Sequence, residues 1–222
     1  MDLLTPLGPG PRHREGLEDG AVLLRGWLGG REAAIMEAIG DIARRSPFRM
    51  LTTPGGRTMS VAMTGCGTLG WHSDRQGYRY VPVDPTTGRP WPAMPELLSD
   101  VAREAADEAG YASFAPDACL INRYAPGARL SLHQDRDEDA LSEPIVSLSV
   151  GVAATFLWGG LERSSPTRRI RLDSGDVVVW GGPSRLVYHG VAALARGWHP
   201  LTGDKRFNVT FRAVRRPAPR PC

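Results

Sequence analysis

From Asp117 onward the helical period vanishes, and the chain breaks into about eight short runs of strand-forming residues parted by turns of Gly, Pro and Asp. The runs are 118–124, 129–133, 145–150, 154–158, 168–172, 177–180, 186–189 and 206–213. Strands this short and this numerous must pair into a two-sheet jelly roll or a closed barrel. The last of them alternates without fault. Phe207, Val209 and Phe211 fall on one face, and Arg206, Asn208, Thr210 and Arg212 on the other. An edge strand with a solvated polar face would have the same pattern, whereas a strand inside a barrel would aim two guanidiniums into a cavity.

The N-terminal half has a different texture. Residues 1–20, rich in Pro, Gly and charge, read as a flexible arm, and 21–24 as a first strand. Ile35, Ile39 and Ile42 recur at helical offsets between Arg31 and Arg45, and Pro47 stops that run. A second amphipathic helix is expected from Pro95 to Gly110, with Leu98, Val101, Ala102, Ala105 and Ala109 on one side. Between these helices lies 52–92, dense in Gly, Pro, aromatics and arginine. A long irregular segment inside a compact domain is usually a lid or binding loop, so this stretch is the expected recognition element. Residues 215–222 are expected to be a disordered tail. The expected organisation is a single domain over 21–214, with the lid and its supporting helix at about 46–115 and the jelly-roll core at about 116–214.

Composition narrows the setting. With 41% hydrophobic and 23% charged residues the chain fits a soluble globular protein. No run of 18 apolar residues exists, so no membrane span is expected. The N-terminus lacks a basic segment followed by an apolar core, which points to the cytoplasm. Cys66, Cys119 and Cys222 have no metal-type spacing and are read as reduced thiols. The net charge of +3 suits a nucleic-acid partner, but Lys205 is the only lysine among 27 basic residues. That looks like codon bias, so the position of an arginine carries more than its number.

The chemistry centres on His133-Gln134-Asp135. Side chains two apart on an extended segment share a face, so this imidazole and carboxylate can converge on one metal. His189, at the end of the 186–189 run, is the candidate third ligand. Two histidines and a carboxylate with open positions describe the facial site of non-haem Fe(II) oxygenases. A bare His-x-Asp is weak, with roughly 0.3 chance matches expected in a chain of this composition. The competing reading is a surface histidine beside the charged turn of Arg136, Asp137, Glu138 and Asp139. His13, His72 and His199 sit in polar or loop settings and are left out of the site. If the polar face of the last strand points inward, its guanidiniums suit a small dianionic co-substrate. Asn122 and Tyr124, also two apart, would add neutral hydrogen bonds.

Taken in order, Asn122-x-Tyr124, His133-x-Asp135, His189 and Arg206-x-Asn208-x-x-x-Arg212 resemble the AlkB family of Fe(II)- and 2-oxoglutarate-dependent nucleic-acid dealkylases. The resemblance extends from about Gly20 to Arg212 and includes Ser46-Pro47-Phe48-Arg49, Pro90-Trp91-Pro92-Ala93-Met94-Pro95 and the stretch Gly175 to Gly182. It implies a mainly β fold with flanking helices, a double-stranded β-helix (jelly roll) carrying an N-terminal nucleotide-recognition lid. It further implies Fe(II) on His133, Asp135 and His189, with O2 and 2-oxoglutarate as co-substrates. Arg206 would grip the distal carboxylate of 2-oxoglutarate, with Asn122 and Tyr124 at that end and Asn208 and Arg212 at the metal-proximal end. Trp71 would stack on the damaged base opposite the His133 ring, Tyr78 contact the adjacent backbone, Asp137 read the exocyclic amine and Arg163 touch the base rim. Thr53, Arg57 and Arg75 are further candidates for phosphate contacts.

The reaction so implied is oxidative removal of the alkyl group from bases such as 1-methyladenine and 3-methylcytosine, releasing formaldehyde, succinate and CO2. The implied partner is alkylated single-stranded DNA bound by a monomer, with duplex DNA and RNA left open. Arg57 and His72-Ser73-Asp74 depart from the family pattern, and both departures fall in the lid. Two other readings stand beside this one: a 2-oxoglutarate-dependent hydroxylase of a small molecule or protein, and a catalytically silent nucleic-acid-binding module.

Overall fold

The computed structural model describes residues 12–215. In chain order they form β1 (His13–Glu18), β2 (Ala21–Arg25), α1 (Glu32–Arg45), β3 (Arg49–Thr52), β4 (Thr58–Gly67), β5 (Gly70–Asp74), β6 (Gly77–Val81), the two-residue β7 (Val83–Asp84) and β8 (Arg89–Pro90), and α2 (Glu96–Glu108). The second half adds β9 (Ala118–Tyr124), β10 (Leu130–His133), β11 (Ile145–Gly151), β12 (Ala154–Trp158), β13 (Arg168–Leu172), β14 (Val177–Trp180), β15 (His189–Val191) and β16 (Arg206–Arg212). Eight strands pair in the order β1-β2-β14-β11-β16-β9-β4-β3, and four in the order β10-β15-β12-β13. This is the expected jelly roll. No helix among the described residues is long and apolar enough to cross a membrane.

Alternation along the central strands divides the interior in two. On β11, Val146, Leu148 and Val150 join Val209 and Phe211 of β16 beneath the helices. Against them lie Ile35, Ile39 and Ile42 of α1 and Leu98, Val101, Ala102 and Ala105 of α2, all buried. Each isoleucine placed there stabilises the fold by about 1.5–3 kcal/mol relative to exposure. Between the sheets a second cluster joins Ile145, Val178 and Trp180 to Phe156, Ile170 and Val191. The polar face of β16 therefore turns inward, toward the space between the sheets.

Helix ends follow their local chemistry. α1 stops at Ser46 ahead of Pro47, with the Ser46 N–H on the Ile42 carbonyl. After α2, Gly110 adopts φ +94°, which lets the Tyr111 N–H reach back to the Ala106 carbonyl and the Gly110 N–H to that of Asp107. The Tyr111 hydroxyl then donates to the Gly20 carbonyl, tying α2 to the β1–β2 turn.

Three expectations need correction. Residues 13–18 are not part of a loose arm; they pair with β2 as the edge of the large sheet, joined by the turn Asp19–Gly20 with Gly20 at φ +75°. Their polar composition is that of an edge strand, with only Leu17 buried. The 186–189 run is not a strand closing at His189. The Val187 N–H folds back to the Ser184 carbonyl, and pairing as β15 begins at His189 itself. The 52–92 stretch is also more regular than a loop, since β5 and β6 form a ladder from Gly70↔Val81 to Asp74↔Gly77. Gly70 is required there, because a Cβ would meet the Trp91 ring at 2.1 Å. The arm before residue 12 and the tail after Arg215 lie outside the described residues.

Candidate active site

One cavity of about 650 Å³ opens between the β5–β6 hairpin and the jelly roll. The twelve residues assigned to the metal, co-substrate and base sites line it: Trp71, Tyr78, Asn122, Tyr124, His133, Asp135, Asp137, Arg163, His189, Arg206, Asn208 and Arg212. Thr53 and Arg57 line it as well, whereas Arg75 does not. His13, His72 and His199 are absent from the lining.

The His133, Asp135 and His189 ligand atoms lie within 4.8 Å of one another. β10 and β15 are neighbours, and His133 stands directly across from His189 in their register. The ring centroids are 4.5 Å apart. His133 Nδ1 lies 2.9 Å from the Ser131 carbonyl and His189 Nδ1 3.0 Å from that of Val187. Each ring therefore donates from Nδ1 and presents the lone pair of Nε2, the tautomer a metal ligand requires. Those Nε2 atoms sit 3.5 and 3.8 Å from the two oxygens of Asp135. Burial, aided by the charge of His133, pushes the His189 pKa down to about 4, so the ring stays neutral. Burial would raise the Asp135 carboxyl, but the Arg212 guanidinium and both imidazoles outweigh it and hold the group well below the usual carboxylate range. Burial would lower the His133 pKa, but its Asp135 partner outweighs that and raises it, so a cation takes the place of the His133 proton. The resulting set of two imidazoles and one carboxylate fits a divalent cation of the Fe(II) type.

Deeper in, the two arginines of β16 are treated in opposite ways. Arg212 donates to Asp135 Oδ2 from Nε at 2.9 Å and from Nη2 at 2.5 Å. Arg206, 1% exposed, has only Ser149 Oγ at 2.8 Å from Nη2, and its Nε and Nη1 have no partner in the protein. Burial pushes its pKa down. Directly across the ladder from Arg206 stands Tyr124, and across from Asn208 stands Asn122. Tyr124 Oη and Asn122 Oδ1 are also buried without partners. A buried cation with two idle donors beside an idle hydroxyl fits a carboxylate ligand, and the residues accordingly match the distal end of a 2-oxo diacid.

At the mouth, Trp71 Nε1 donates to Asp137 Oδ2 at 3.1 Å, and its ring stacks on Tyr78 with centroids 5.6 Å apart. Arg57, Arg129, Arg136 and Arg163 line the same opening, and none forms a salt bridge among the described residues. Arg163 instead lies over the Tyr188 ring at 5.9 Å.

Two lining residues, Glu138 and Tyr80, and the buried Arg185 that pairs with Glu138 had no signal in the sequence. Glu138 falls in the charged run 136–139, yet it is buried, accepts from Tyr80 Oη at 2.6 Å and pairs with Arg185 at 3.1 Å. Buried Arg185 also donates from Nη1 to the Asp135 carbonyl at 2.6 Å. Burial raises the Tyr80 pKa well above its ordinary value, so its hydroxyl remains a donor.

The comparisons with known proteins agree with this geometry. The profile of the 2OG-Fe(II) oxygenase superfamily matches residues 20–212. The alpha-ketoglutarate-dependent dioxygenase AlkB of Salmonella typhimurium is 59% identical over 212 residues, covering 96% of this chain and 97% of that protein. The nucleic acid dioxygenase ALKBH1 of Mus musculus is 32% identical over 124 residues, 56% of this chain and 30% of its own length. Among solved structures, that of OsALKBH1 superposes with a TM-score of 0.77 at 30% identity, covering 90% of this chain and 99% of that one. The chain therefore belongs to the 2OG-Fe(II) oxygenase superfamily and, within it, to the AlkB family of alpha-ketoglutarate-dependent dioxygenases, which use Fe(II), 2-oxoglutarate and O2.

Proposed function

We propose that this dioxygenase removes small N-alkyl groups from bases such as 1-methyladenine and 3-methylcytosine in nucleic acid, a direct reversal of alkylation damage. The observation that carries this reading is the make-up of the cavity mouth. An aromatic ring pinned to a carboxylate, Trp71 on Asp137, sits among four arginines without acidic partners, above the His-Asp-His cluster. A flipped base needs a stacking face and a polar edge reader, and its flanking phosphates need cations.

His133, Asp135 and His189 would hold Fe(II). With 2-oxoglutarate and O2 it supplies the oxidising power: one oxygen atom enters the N-methyl C–H bond while 2-oxoglutarate becomes succinate and CO2. The rest of the work falls to the chain. Arg206 and Tyr124 would grip the distal carboxylate, with Asn122 beside them, while Asn208 and Arg212 border the metal-proximal end. Trp71 and the His133 ring would flank the base, Asp137 accept from its exocyclic amine and Arg163 close the rim. Once the methyl carbon carries a hydroxyl, that hydroxyl loses its proton to solvent as the N–C bond breaks; formaldehyde leaves and the base nitrogen keeps the electron pair. Neutral His189 and ionised Asp135 need no protonation change to bind a cation.

Depth supports a single-stranded substrate, because a base stacked in duplex cannot reach a metal at the floor of this cavity without being extruded. Buried free Cys66 and Cys119 suit the reducing cytoplasm. The test is incubation with Fe(II), ascorbate, 2-oxoglutarate and oligonucleotides bearing one 1-methyladenine or 3-methylcytosine, with single-stranded, duplex and RNA versions compared. The expected result is a mass loss of about 14 Da, methyl replaced by hydrogen. No loss from any of them would overturn the proposal.

A further inference from the structure

A buried ionic network joins the β5–β6 hairpin to the metal cluster, and Glu138 stands at its centre. One carboxylate oxygen, Oε1, accepts from Tyr80 Oη at 2.6 Å and lies 3.2 Å from Arg212 Nε. The other, Oε2, accepts from Arg185 Nη2 at 3.1 Å. Both arginines continue to Asp135: Arg212 to its side chain, Arg185 to its carbonyl. Tyr80 lies directly across from Trp71 in the β5–β6 ladder. A chain of hydrogen bonds, with the Glu138–Arg212 ion pair as one link, thus runs from the stacking residue's own hairpin to the carboxylate of the metal cluster.

We propose that Glu138 is a positioning residue that locks the β5–β6 hairpin to the metal ligand Asp135, through Tyr80 on one side and Arg212 and Arg185 on the other. The inference rests on the metal reading of His133, Asp135 and His189, and it adds a role for three residues that touch neither iron nor base in that reading. Two physical effects point the same way. Geometrically, Glu138 fixes the forks of both guanidiniums, and these orient Asp135. Electrostatically, two buried guanidiniums face two buried carboxylates, and removing the charge of Glu138 leaves an excess cation beside a site that must accept another. Seating the hairpin and loading the metal are therefore linked, each favouring the other.

The test is Co(II) titration of the metal-free protein, followed by the visible absorption of bound Co(II), with thermal unfolding as a control. Glu138→Gln is expected to weaken Co(II) about 10-fold, the scale of lost outer-sphere partners, and to alter the absorption band. Tyr80→Phe removes a single hydroxyl and is expected to weaken Co(II) by less than the roughly 10-fold of Glu138→Gln, with a fall of a few degrees in unfolding temperature from the lost bond to a buried carboxylate. The double variant should be no weaker than Glu138→Gln alone, because both changes cut one path. Hydrogen exchange of amides 70–81 should slow on Co(II) loading in the native protein and stay unchanged in Tyr80→Phe. Native Co(II) affinity and spectrum in Tyr80→Phe, additive losses in the double variant, or hairpin exchange indifferent to the metal would each overturn the coupling. His133→Ala separates the layers. If it leaves Co(II) binding intact the metal reading itself fails, whereas if it abolishes binding while the Tyr80 and Glu138 variants behave as native, only the present inference fails.

Discussion

Replacing Arg206 with methionine should make the protein more stable and useless at the same time. The buried Arg206 guanidinium carries two N–H-bearing nitrogens without partners, and each such group costs about 1–3 kcal/mol. Against this stands one hydrogen bond, to Ser149 at 2.8 Å, worth about 1 kcal/mol. An apolar side chain of similar length therefore gains roughly 2–3 kcal/mol in the ligand-free protein. In a chain of this size that amounts to a rise of about 5–10 °C in Tm. The native protein should recover the cost when 2-oxoglutarate binds, gaining about 2.7 kcal/mol at a hundredfold excess over Kd. Arg206→Met should show no such gain, and its KM for 2-oxoglutarate should rise at least about 100-fold, the loss of a buried bidentate pair. Arg212→Met, six residues along the same face, should do the reverse. It strands Asp135 beside Glu138 as buried carboxylates and should cost about 3–5 kcal/mol. Thermal unfolding with and without 2-oxoglutarate decides the matter. An Arg206→Met protein less stable than native, or one still stabilised by 2-oxoglutarate, would refute the assignment of Arg206 as the carboxylate anchor.

Three further outcomes are expected. His133→Ala and Asp135→Ala should each abolish succinate formation from 2-oxoglutarate, and undiminished turnover in either would remove the iron assignment. Changing Arg129 or Arg136 to glutamine should flatten the dependence of log K on log salt by about 0.7 per lost phosphate contact for a single-stranded oligonucleotide, and an unaltered slope would place the strand elsewhere. For Asp84, burial would raise the pKa, but hydrogen bonds from Ser46 Oγ at 2.6 Å and Thr86 N–H at 2.9 Å, with Arg49 at 2.7 Å, outweigh it and lower the pKa in the fold. A depressed folded pKa gives stability that is complete above the ordinary carboxylate value, near pH 4, and is lost as pH falls through the folded value. Urea midpoints should therefore drop below about pH 4 in the native protein and drop less in Asp84→Asn; equal drops would contradict this.

Much of the core was legible because period two survives wherever one face of a strand is apolar and the other is functional. β16 could be read residue by residue, and β9, β12, β13 and β14 have the expected bounds. The placement of Asn122 and Tyr124 opposite Asn208 and Arg206 follows from which strands pair, a fact with no local trace. Failures have equally physical causes. β1 is polar because it is an edge, so its composition matched that of an arm. Glu138 is a buried charge between exposed Asp137 and Asp139, and its pairing with buried Arg185 is what allows both charges inside. Sequence has no period that reports a charge balanced by another 47 positions away. Tyr80 lay within the expected recognition segment, but its tie to Glu138 crosses from hairpin to core and could be seen only in three dimensions.

The β9–β16 ladder has a consequence for how errors in folding would appear. Arg206 and Asn208 face the cavity because Phe207, Val209 and Phe211 face the helices, and one register fixes both sets. A slip by a single residue would send three large apolar side chains into the co-substrate site and four polar ones into the helix-side core. The same hydrogen bonds thus proofread chemistry and packing together. Misregistered molecules would not persist as folded, silent enzyme; they would fail as proteins, and any population of this chain that is folded at all should be competent to take up its co-substrate.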